Sequence, residues 1–515
     1  MGSNSENDVI RKTLPENLRG VRFHFVCVKG SGMAALVEIL SARGAVITGS
    51  DVSERFYTDE VLERVGVKAL PFSAANVTDS VDFVVHSSAY SADKNPDLAE
   101  AARRGIPTML YSEALGAVSG TAFSSGVCGV HGKTTTTGMV GTILKEFDIP
   151  SQALAGSVIS SFGNSCTMTS GSFDSSSGKK FFVAETCEYQ RHFMAFQPKK
   201  IILTSVESDH QDYYPTYMDI RDAFVDYIMK LPEGGTLVYC ADDRGAVETA
   251  GIALEKRPDI KAVPYGVRAD GGFRLKFSAV ENGVHSFCIA SLGEFSIRVP
   301  GDHNVRNAAA AIALCVDILK SAGKTDGEIL EKYVPLIRRG LLNFAGGKRR
   351  GEIVGRAKTP AGEDVVFIDD YGHHPTAIRT TLAGFREFYK NHRIIVDFMS
   401  HTYTRTAALL DEFASSFGSA DCVIINKIYG SAREDASAAK VTGEMLAERA
   451  RMHHPSVVYA GEFDEAESVG LSLLSEPSGA RDGYLFVTMG AGDNWKVGPL
   501  LLDRLRGQAK GNRAE

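Results

Sequence analysis

The chain is short of the residues that would make it secreted, membrane-bound or nucleic-acid-binding. Its 515 residues include only eight cysteines, none in a CxxC pair, and several sit in apolar, strand-like runs. Neither a disulfide framework nor a zinc site is expected from them, and a reduced compartment is. No apolar run approaches the roughly 20 residues that span a bilayer. The opening MGSNSENDVIRKTLPENLRG is polar and has no apolar core of a secretion signal. An excess of positive charge is missing too. A formal net charge of -7 offers no electrostatic basis for holding nucleic acid or an anionic membrane. These absences predict a cytoplasmic protein with no nucleic-acid and no membrane partner.

What is present is ordinary globular material, 44% hydrophobic and 23% charged, in a chain long enough for about three domains. Three successive segments alternate strand-like and helix-like patterns, the signature of α/β folds. The first, 21–120, opens with the buried-strand pattern VRFHFVCV, a GSG turn and a helical stripe of Met33, Leu36, Val37 and Leu40. The second, 121–339, carries strand patterns KFFVAE, KKIILTS and GGTLVYC. Its polar stretch 164–180, NSCTMTSGSFDSSSGKK, has the composition of a mobile surface insertion. The third, 340–515, contains DVVFIDD, RIIVDFM, DCVIINKIYG and GYLFVTMG as strands. Its helix from Pro375 puts Ile378, Leu382, Phe385 and Tyr389 on one face, and the end GQAKGNRAE reads as a frayed tail.

The second segment begins with GVHGKTT, Gly129 to Thr135, before a helix-forming run. A full Walker A has another glycine five positions before Gly132, where Val127 stands. The shorter loop keeps the chemistry. Gly129 and Gly132 let backbone N–H groups turn towards phosphate, Lys133 supplies a point charge, and Thr134 offers a hydroxyl to Mg²⁺. The helix N-terminus that follows favours anions.

Glu185 ends one strand pattern and His210 follows another. In open α/β sheets these are ligand-facing positions, so the pair could hold a divalent ion between two anions. A capping glutamate and a surface histidine is the alternative. In the first segment, GSGMAA with Asp51 about 20 residues on fits a dinucleotide turn, which alone would suggest an NAD-dependent oxidoreductase. That reading gives no role to Lys133, Glu185 or His210.

Taken in order, GVHGKTT, AETCEYQRHF, ESDH, PGDHNVRNAAAAIA, DDYGHHPTAI and SHTYTRT resemble the Mur ligases from Phe23 to Gly492; VKGSGMAAL and GSARE, from Gly430 to Glu434, point the same way. The resemblance implies a Rossmann-like N-terminal domain (21–120), a central P-loop ATPase domain (121–339) and a Rossmann-like C-terminal domain (340–515). It implies an enzyme of peptidoglycan synthesis that phosphorylates the lactyl carboxylate of UDP-N-acetylmuramate with ATP, then joins it to L-alanine. Two Mg²⁺ ions are expected, with Mn²⁺ able to substitute. Lys133, Glu185 and His210 match catalytic residues, and Thr134, Glu185 and His210 match metal ligands. Gly129, Val130, His131, Gly132, Lys133, Thr134 and Thr135 match the ATP loop. His303, Asn304 and Asn307 match residues at the adenine, although both asparagines could equally cap a helix. Gly30, Ser31, Gly32, Met33, Asp51, Ser87 and Ser88 match the UDP-sugar site. Tyr371, His373, His401 and Arg405 match the amino-acid site, where an arginine fork suits a carboxylate. Arg349 and Arg350 either meet phosphate or form a surface pair.

Two positions depart from the family. Val130 stands where threonine is usual, and Thr402 where some relatives carry arginine, which leaves alanine, serine or glycine open. A ligase attaching a tripeptide and a non-catalytic nucleotide-binding regulator are the other readings. Ligand groups from every segment imply a cleft over which the third segment closes. A monomer and a homodimer both remain open.

Overall fold

The computed structural model describes residues 13–56, 58–173, 178–211, 213–281, 283–430 and 440–511. Most of GSARE therefore lies outside the described residues. Three sheets follow one another along the chain. The first contains β1 (Arg22–Val26), β2 (Val46–Ser50), β3 (Ala69–Leu70), β4 (Phe83–His86) and β5 (Thr108–Leu110) in the order β3-β2-β1-β4-β5. All its pairings are parallel, as in Rossmann-like domains. Helix α1 (Ser31–Ala42) starts at the end of β1, and α2 (Tyr111–Gly120) leads to the second sheet.

The central sheet has β6 (Phe123–Cys128), β7 (Ser151–Ile159), β8 (Ser165–Ser170), β9 (Phe181–Glu185), β10 (Lys200–Leu203), β11 (Thr236–Cys240) and β12 (Lys261–Tyr265). Their order is β12-β11-β10-β6-β9-β7-β8. Helix α3 (Lys133–Leu144) follows β6. Its sequence KTTTTGMVGTIL is a poor helix former, yet Thr136 to Leu144 are all buried. Packing overrides propensity here. A Cβ at Gly138 would lie 2.9 Å from Phe344, and one at Gly141 would lie 2.3 Å from Phe162, so the glycines admit rings at close range.

The structure corrects the first part of the stretch expected as a mobile insertion, and residues 174–177 of it lie outside the described residues. Ser165, Cys166, Thr167 and Met168 are buried in β8, which pairs antiparallel with β7. Serine and threonine hid the strand because their hydroxyls are satisfied only in place: Ser165 and Thr167 donate to Glu38 of α1 at 2.5 and 3.0 Å. A small antiparallel sheet of β13 (Leu275–Glu281), β14 (Val284–Ile289) and β15 (Gly293–Ile297) was not anticipated either. Helix α4 (Asp302–Ser321) follows it. The helix Val334–Asn343 packs on α3, with Gly340 against Ile143. The chain thus stays with the central sheet past residue 339, and the expected boundary moves to the stretch 344–349.

The third sheet comprises β16 (Arg350–Lys358), β17 (Asp364–Asp370), β18 (Arg393–Met399), β19 (Cys422–Ile425), β20 (Val457–Tyr459) and β21 (Tyr484–Gly490), in the order β16-β17-β21-β18-β19-β20. Helix α5 (Pro375–Phe388) carries the expected apolar face, and α6 (Val497–Gly511) extends through most of the expected tail.

The cores show which lobes are packed together. Phe23, Leu36 and Val85 of the N-terminal domain share one continuous core with Val140, Phe182 and Ile201 of the central domain. Arg43 of α1 reinforces that junction, donating to Gln152 at 2.8 Å and Thr121 at 2.6 Å. The third sheet keeps its own two cores. Val366 and Ile368 face one, Val365 and Phe367 the other, as period-2 strands covered on both sides require. The C-terminal lobe meets the rest through the polar contacts described below and through close packing of Gly384 on Gly301.

One buried acid sets a pH dependence. Asp397, at 0% exposure, accepts from Asn426 Nδ2 at 2.9 Å and Asn494 Nδ2 at 3.2 Å. Burial, only partly offset by these amides, pushes its carboxyl up to about 7. The neutral form is favoured, so the acid stabilises the fold below its unfolded value near ~4 and loses that contribution as pH rises through 7. Asn426 Oδ1 and Asn494 Oδ1 lie buried without partners, and an amide at position 397 could donate to one of them. Asp397→Asn is expected to raise the melting temperature at pH 8 and leave it nearly unchanged at pH 5, as read by thermal melts of both proteins.

Candidate active site

A cavity of about 1020 Å³ opens between the central and C-terminal lobes. Its central wall is built on the β6–α3 turn. Gly129 (φ 130°) and Gly132 (φ 79°) take backbone conformations open mainly to glycine. Close packing enforces them, since a Cβ would lie 2.2 Å from Thr204 Oγ1 or 2.5 Å from Asn307 Oδ1 respectively. Val130 N–H donates to the Ser205 carbonyl at 3.0 Å and His131 N–H to Ser205 Oγ at 2.9 Å. Those two donors are spent on the neighbouring loop. The N–H groups of Gly132, Lys133, Thr134 and Thr135, at the N-terminus of α3, form the remaining anion cradle. The Val130 side chain is buried, so the missing threonine hydroxyl is replaced by packing.

Lys133 turns back onto its own loop. Its ammonium donates to the Gly129 carbonyl at 2.6 Å and pairs with Glu188 at 2.9 Å. Burial works against its charge, but Glu188 and then Glu185 outweigh that and hold its pKa above the usual lysine value. Glu188 is the residue sequence reasoning missed. Burial would raise its carboxyl, yet Lys133 and His210 bring it below the usual range. His210 Nε2 stands 3.3 Å from Glu188, and His210 adopts φ 53°, a strained conformation for a side-chain-bearing residue in a ligand loop. Glu185 ends β9, where its Oε2 accepts from Gly156 N–H at 2.7 Å. A capping role for it is thereby set aside, because no α-helix begins there: an irregular 3₁₀ segment starts at Tyr189.

Beside the loop, His303, Asn304 and Asn307 line the same cavity from α4. The N-cap of α4 is Gly301, so neither asparagine caps the helix. Asn304 donates to the Pro300 carbonyl at 2.7 Å, and Asn307 donates to Asn304 Oδ1 at 3.2 Å. Burial, then the charges of Arg306 and His131, lowers His303 to about 4, so it is neutral at pH 7.

The C-terminal wall carries Tyr371, His373, His401 and Arg405. The Arg349–Arg350 pair divides. Arg349 is tied to Asp369 at 2.8 Å and the Gly490 carbonyl at 2.7 Å, while Arg350 lines the cavity with its guanidinium 5.0 Å from the Tyr371 ring centre. His373 Nδ1 lies 3.0 Å from the Tyr371 carbonyl, which assigns the proton to Nδ1 and leaves Nε2 with a lone pair. Burial and then Arg405 push its pKa well below the usual value. Thr402, where some relatives carry arginine, caps the short helix that presents Arg405.

Arg405 commits three of its five N–H donors within the protein. Its Nε and Nη2 donate to Asp209 Oδ1 at 3.1 and 2.6 Å, and Nη1 donates to the His401 carbonyl at 2.8 Å. Asp209 belongs to the central lobe and is buried. Burial opposes its charge, but Arg405 outweighs it and holds the carboxyl far below the normal range. Sequence reasoning quoted ESDH without singling out Asp209, because its partner lies nearly 200 residues away.

The N-terminal set does not line this cavity. Gly30 caps α1, and Ser31, Gly32 and Met33 form its first turn at the end of β1. Ser87 and Ser88 follow β4, where Ser87 Oγ accepts from Ala89 N–H at 3.2 Å. Asp51 is committed: its oxygens accept from Lys29 N–H and Val52 N–H, both at 2.7 Å. Each oxygen keeps a second lone pair for a further donor. Buried Lys29, also missed, ties the turn to the Val52 and Glu54 carbonyls at 3.0 and 2.7 Å. A Cβ on Gly32 would lie 2.9 Å from Tyr111, whose phenol is raised by burial and then by the charge of Glu185. Tyr111 thus lies between this turn and the Glu185 side of the cavity.

Among the described residues no helix is long and apolar enough to cross a membrane. Three family models match in sequence: the Mur ligase family catalytic domain over 22–121, the Mur ligase middle domain over 127–315, and the Mur ligase glutamate ligase domain over 349–492. The chain is 46% identical to the UDP-N-acetylmuramate--L-alanine ligase of Treponema pallidum (strain Nichols), over 96% of this chain and 98% of that one. It is 34% identical to the enzyme of the same name from Borreliella burgdorferi, over 92% and 96%. Its fold matches a crystal structure of UDP-N-acetylmuramate-alanine ligase from Thermotoga maritima with a TM-score of 0.69, at 24% identity over 95% and 99% of the chains. A murein peptide ligase from Psychrobacter arcticus matches with a TM-score of 0.61 at 21% identity, over 94% and 99%. With three consecutive domain matches and relatives aligned almost end to end, this chain belongs to the Mur ligase family.

Proposed function

We propose that this chain is an ATP-dependent ligase that joins L-alanine to the lactyl carboxylate of UDP-N-acetylmuramate, releasing ADP and phosphate, in cytoplasmic synthesis of the peptidoglycan precursor. The observation that carries this is one cavity holding Lys133, Glu185 and His210 on one wall and Tyr371, His373 and Arg405 on the other. A phosphate-handling wall facing a carboxylate-binding wall suits a reaction that phosphorylates one substrate and delivers another. The relatives named for alanine align over nearly the whole chain, which favours alanine over a tripeptide.

A carboxylate does not acylate an amine at neutral pH, so a leaving group comes first. The lactyl carboxylate oxygen attacks the γ-phosphorus, and ADP departs. The amine nitrogen then attacks the acyl carbon, and phosphate departs as the amide forms. The main obstacle is bringing two anions together, and Lys133 with the α3 N-terminus offsets it. Thr134 and Glu185 are oxygen donors of the kind Mg²⁺ takes, and His210 and the charged Glu188 line the same cavity. These residues would hold Mg²⁺, which would neutralise charge developing on the transferred phosphoryl group. His303, Asn304 and Asn307 are placed for the nucleoside. His373, neutral with a free Nε2, is placed to take the proton the amine loses. Gly30 to Met33, Ser87 and Ser88 are assigned to the UDP end, and Asp51 to shaping that turn.

The test is phosphate release with ATP, Mg²⁺, UDP-N-acetylmuramate and L-alanine, leaving out each in turn. Release is expected only with all four. Release without L-alanine, or equal rates with a tripeptide, would refute the assignment.

A further inference from the structure

His131, Glu207 and His374 line the same cavity, and of the three only His131, in the phosphate loop, has a place in the ligase chemistry. They come from the phosphate loop, the segment after β10 and the N-cap of α5. Each offers one ligand atom, and these atoms lie within 4.8 Å of one another. Glu207 Oε1 contacts His131 Nε2 and stands 3.6 Å from His374 Nδ1. The two imidazole ring centres are 5.1 Å apart.

Thr376 N–H donates to His374 Nδ1 at 3.3 Å, so Nδ1 presents a lone pair. Thr376 Oγ1 donates to Glu207 Oε2 at 3.1 Å, and His131 and His374 keep the Glu207 carboxyl ionised against its burial. Nδ1 and Oε1 are both acceptors 3.6 Å apart, and an ion between them would take the Nδ1 lone pair over from the long Thr376 contact. Ligands at about 2.0–2.1 Å from a tetrahedral ion lie roughly 3.3 Å apart, close to this separation. Burial lowers the pKa of His374, and the neutral imidazole is the form a metal takes. His374 is only 6% exposed, and its Nε2 is buried without a partner, so the ring is held by its surroundings rather than by solvent.

We propose that His131, Glu207 and His374 bind a zinc-class transition ion that clamps the C-terminal lobe onto the phosphate loop and inhibits turnover. Two imidazoles and one carboxylate favour zinc, cobalt or nickel over Mg²⁺, which prefers oxygen ligands. His131 and Glu207 belong to the central lobe and His374 to the C-terminal lobe, so the site is complete only when the lobes are closed. An ion there opposes the opening that releases products.

The probe is Co²⁺ added to the full chain in excess Mg²⁺, which occupies the oxygen-rich sites. A visible ligand-field band saturating at one equivalent is expected. Glu207→Gln and His374→Gln should each weaken binding by more than the roughly 10–100-fold that loss of a supporting partner costs. Glu185→Gln should leave the band intact, which separates this site from the expected Mg²⁺ site. Zn²⁺ should displace Co²⁺ and slow phosphate release by the wild type, while His374→Gln, compared with its own metal-free rate, should resist it. Circular dichroism checks the fold of each variant, and Glu207→Gln carries the test if His374→Gln unfolds. No band at several equivalents, a band that survives both substitutions, or a band lost in Glu185→Gln would overturn the proposal.

Discussion

Lys133→Ala is expected to lower turnover by roughly 1,000-fold or more while UDP-N-acetylmuramate binding is kept. Removing one preorganised donor from a developing anion already costs about 100- to 1,000-fold. Lys133 adds a full charge in a buried setting, where electrostatics are screened less than in water. The substitution also strands Glu188. That buried carboxylate is held ionised mainly by Lys133, so in the variant its pKa should climb and it should take up a proton. Stability should fall for the same reason, because a buried charge without its partner is costly. Adding Glu188→Gln to Lys133→Ala should restore stability without restoring turnover. Phosphate release, calorimetric titration with the UDP-sugar and thermal melts measure the three quantities. Near-normal turnover by Lys133→Ala would remove the phosphate loop from the reaction.

Arg405→Lys is expected to cut kcat/KM for L-alanine by about 100-fold, chiefly through KM. The guanidinium spends Nε and Nη2 on Asp209 and Nη1 on the His401 carbonyl, so it bridges two lobes from one planar group. A lysine ammonium has its donors at one point and cannot span those partners while meeting a second carboxylate. Arg405→Ala should go further. Leaving Asp209 buried and unpaired would cost about 3–5 kcal/mol if the lobes stayed together. Opening the cleft hydrates Asp209 and avoids most of that cost, so the variant should be more extended in small-angle scattering rather than unfolded. In the wild type, Arg405 depresses the Asp209 carboxyl, so the pair stabilises closure at every pH above the ordinary carboxylate range. That contribution is lost only as pH falls well below about 4. An Arg405→Lys enzyme with unchanged KM for L-alanine would place the amino acid elsewhere.

Much of this site was legible because its groups are local in sequence. The strand–loop–helix order around Gly129 to Thr135 is a run of seven residues, and backbone geometry follows from glycine positions and helix polarity. Glu185 and His210 were readable as strand ends for the same reason. Glu188 stood in a quoted motif but its role depended on Lys133, 55 residues away. Asp209 and Glu207 were hidden more deeply, since their partners Arg405 and His374 lie on another lobe. The strand β8 escaped notice because its polar residues look solvent-exposed until Glu38 is placed against them.

The sequence alone determined the α/β class, the phosphate loop and the family, because each is written in short-range spacing and in the order of motifs. Only the tertiary structure decided which charges neutralise one another: Lys133 with Glu188, Arg405 with Asp209, and His131 and His374 about Glu207. Coulomb interaction and desolvation depend on distance through space, and chain position does not report that distance until the lobes have packed.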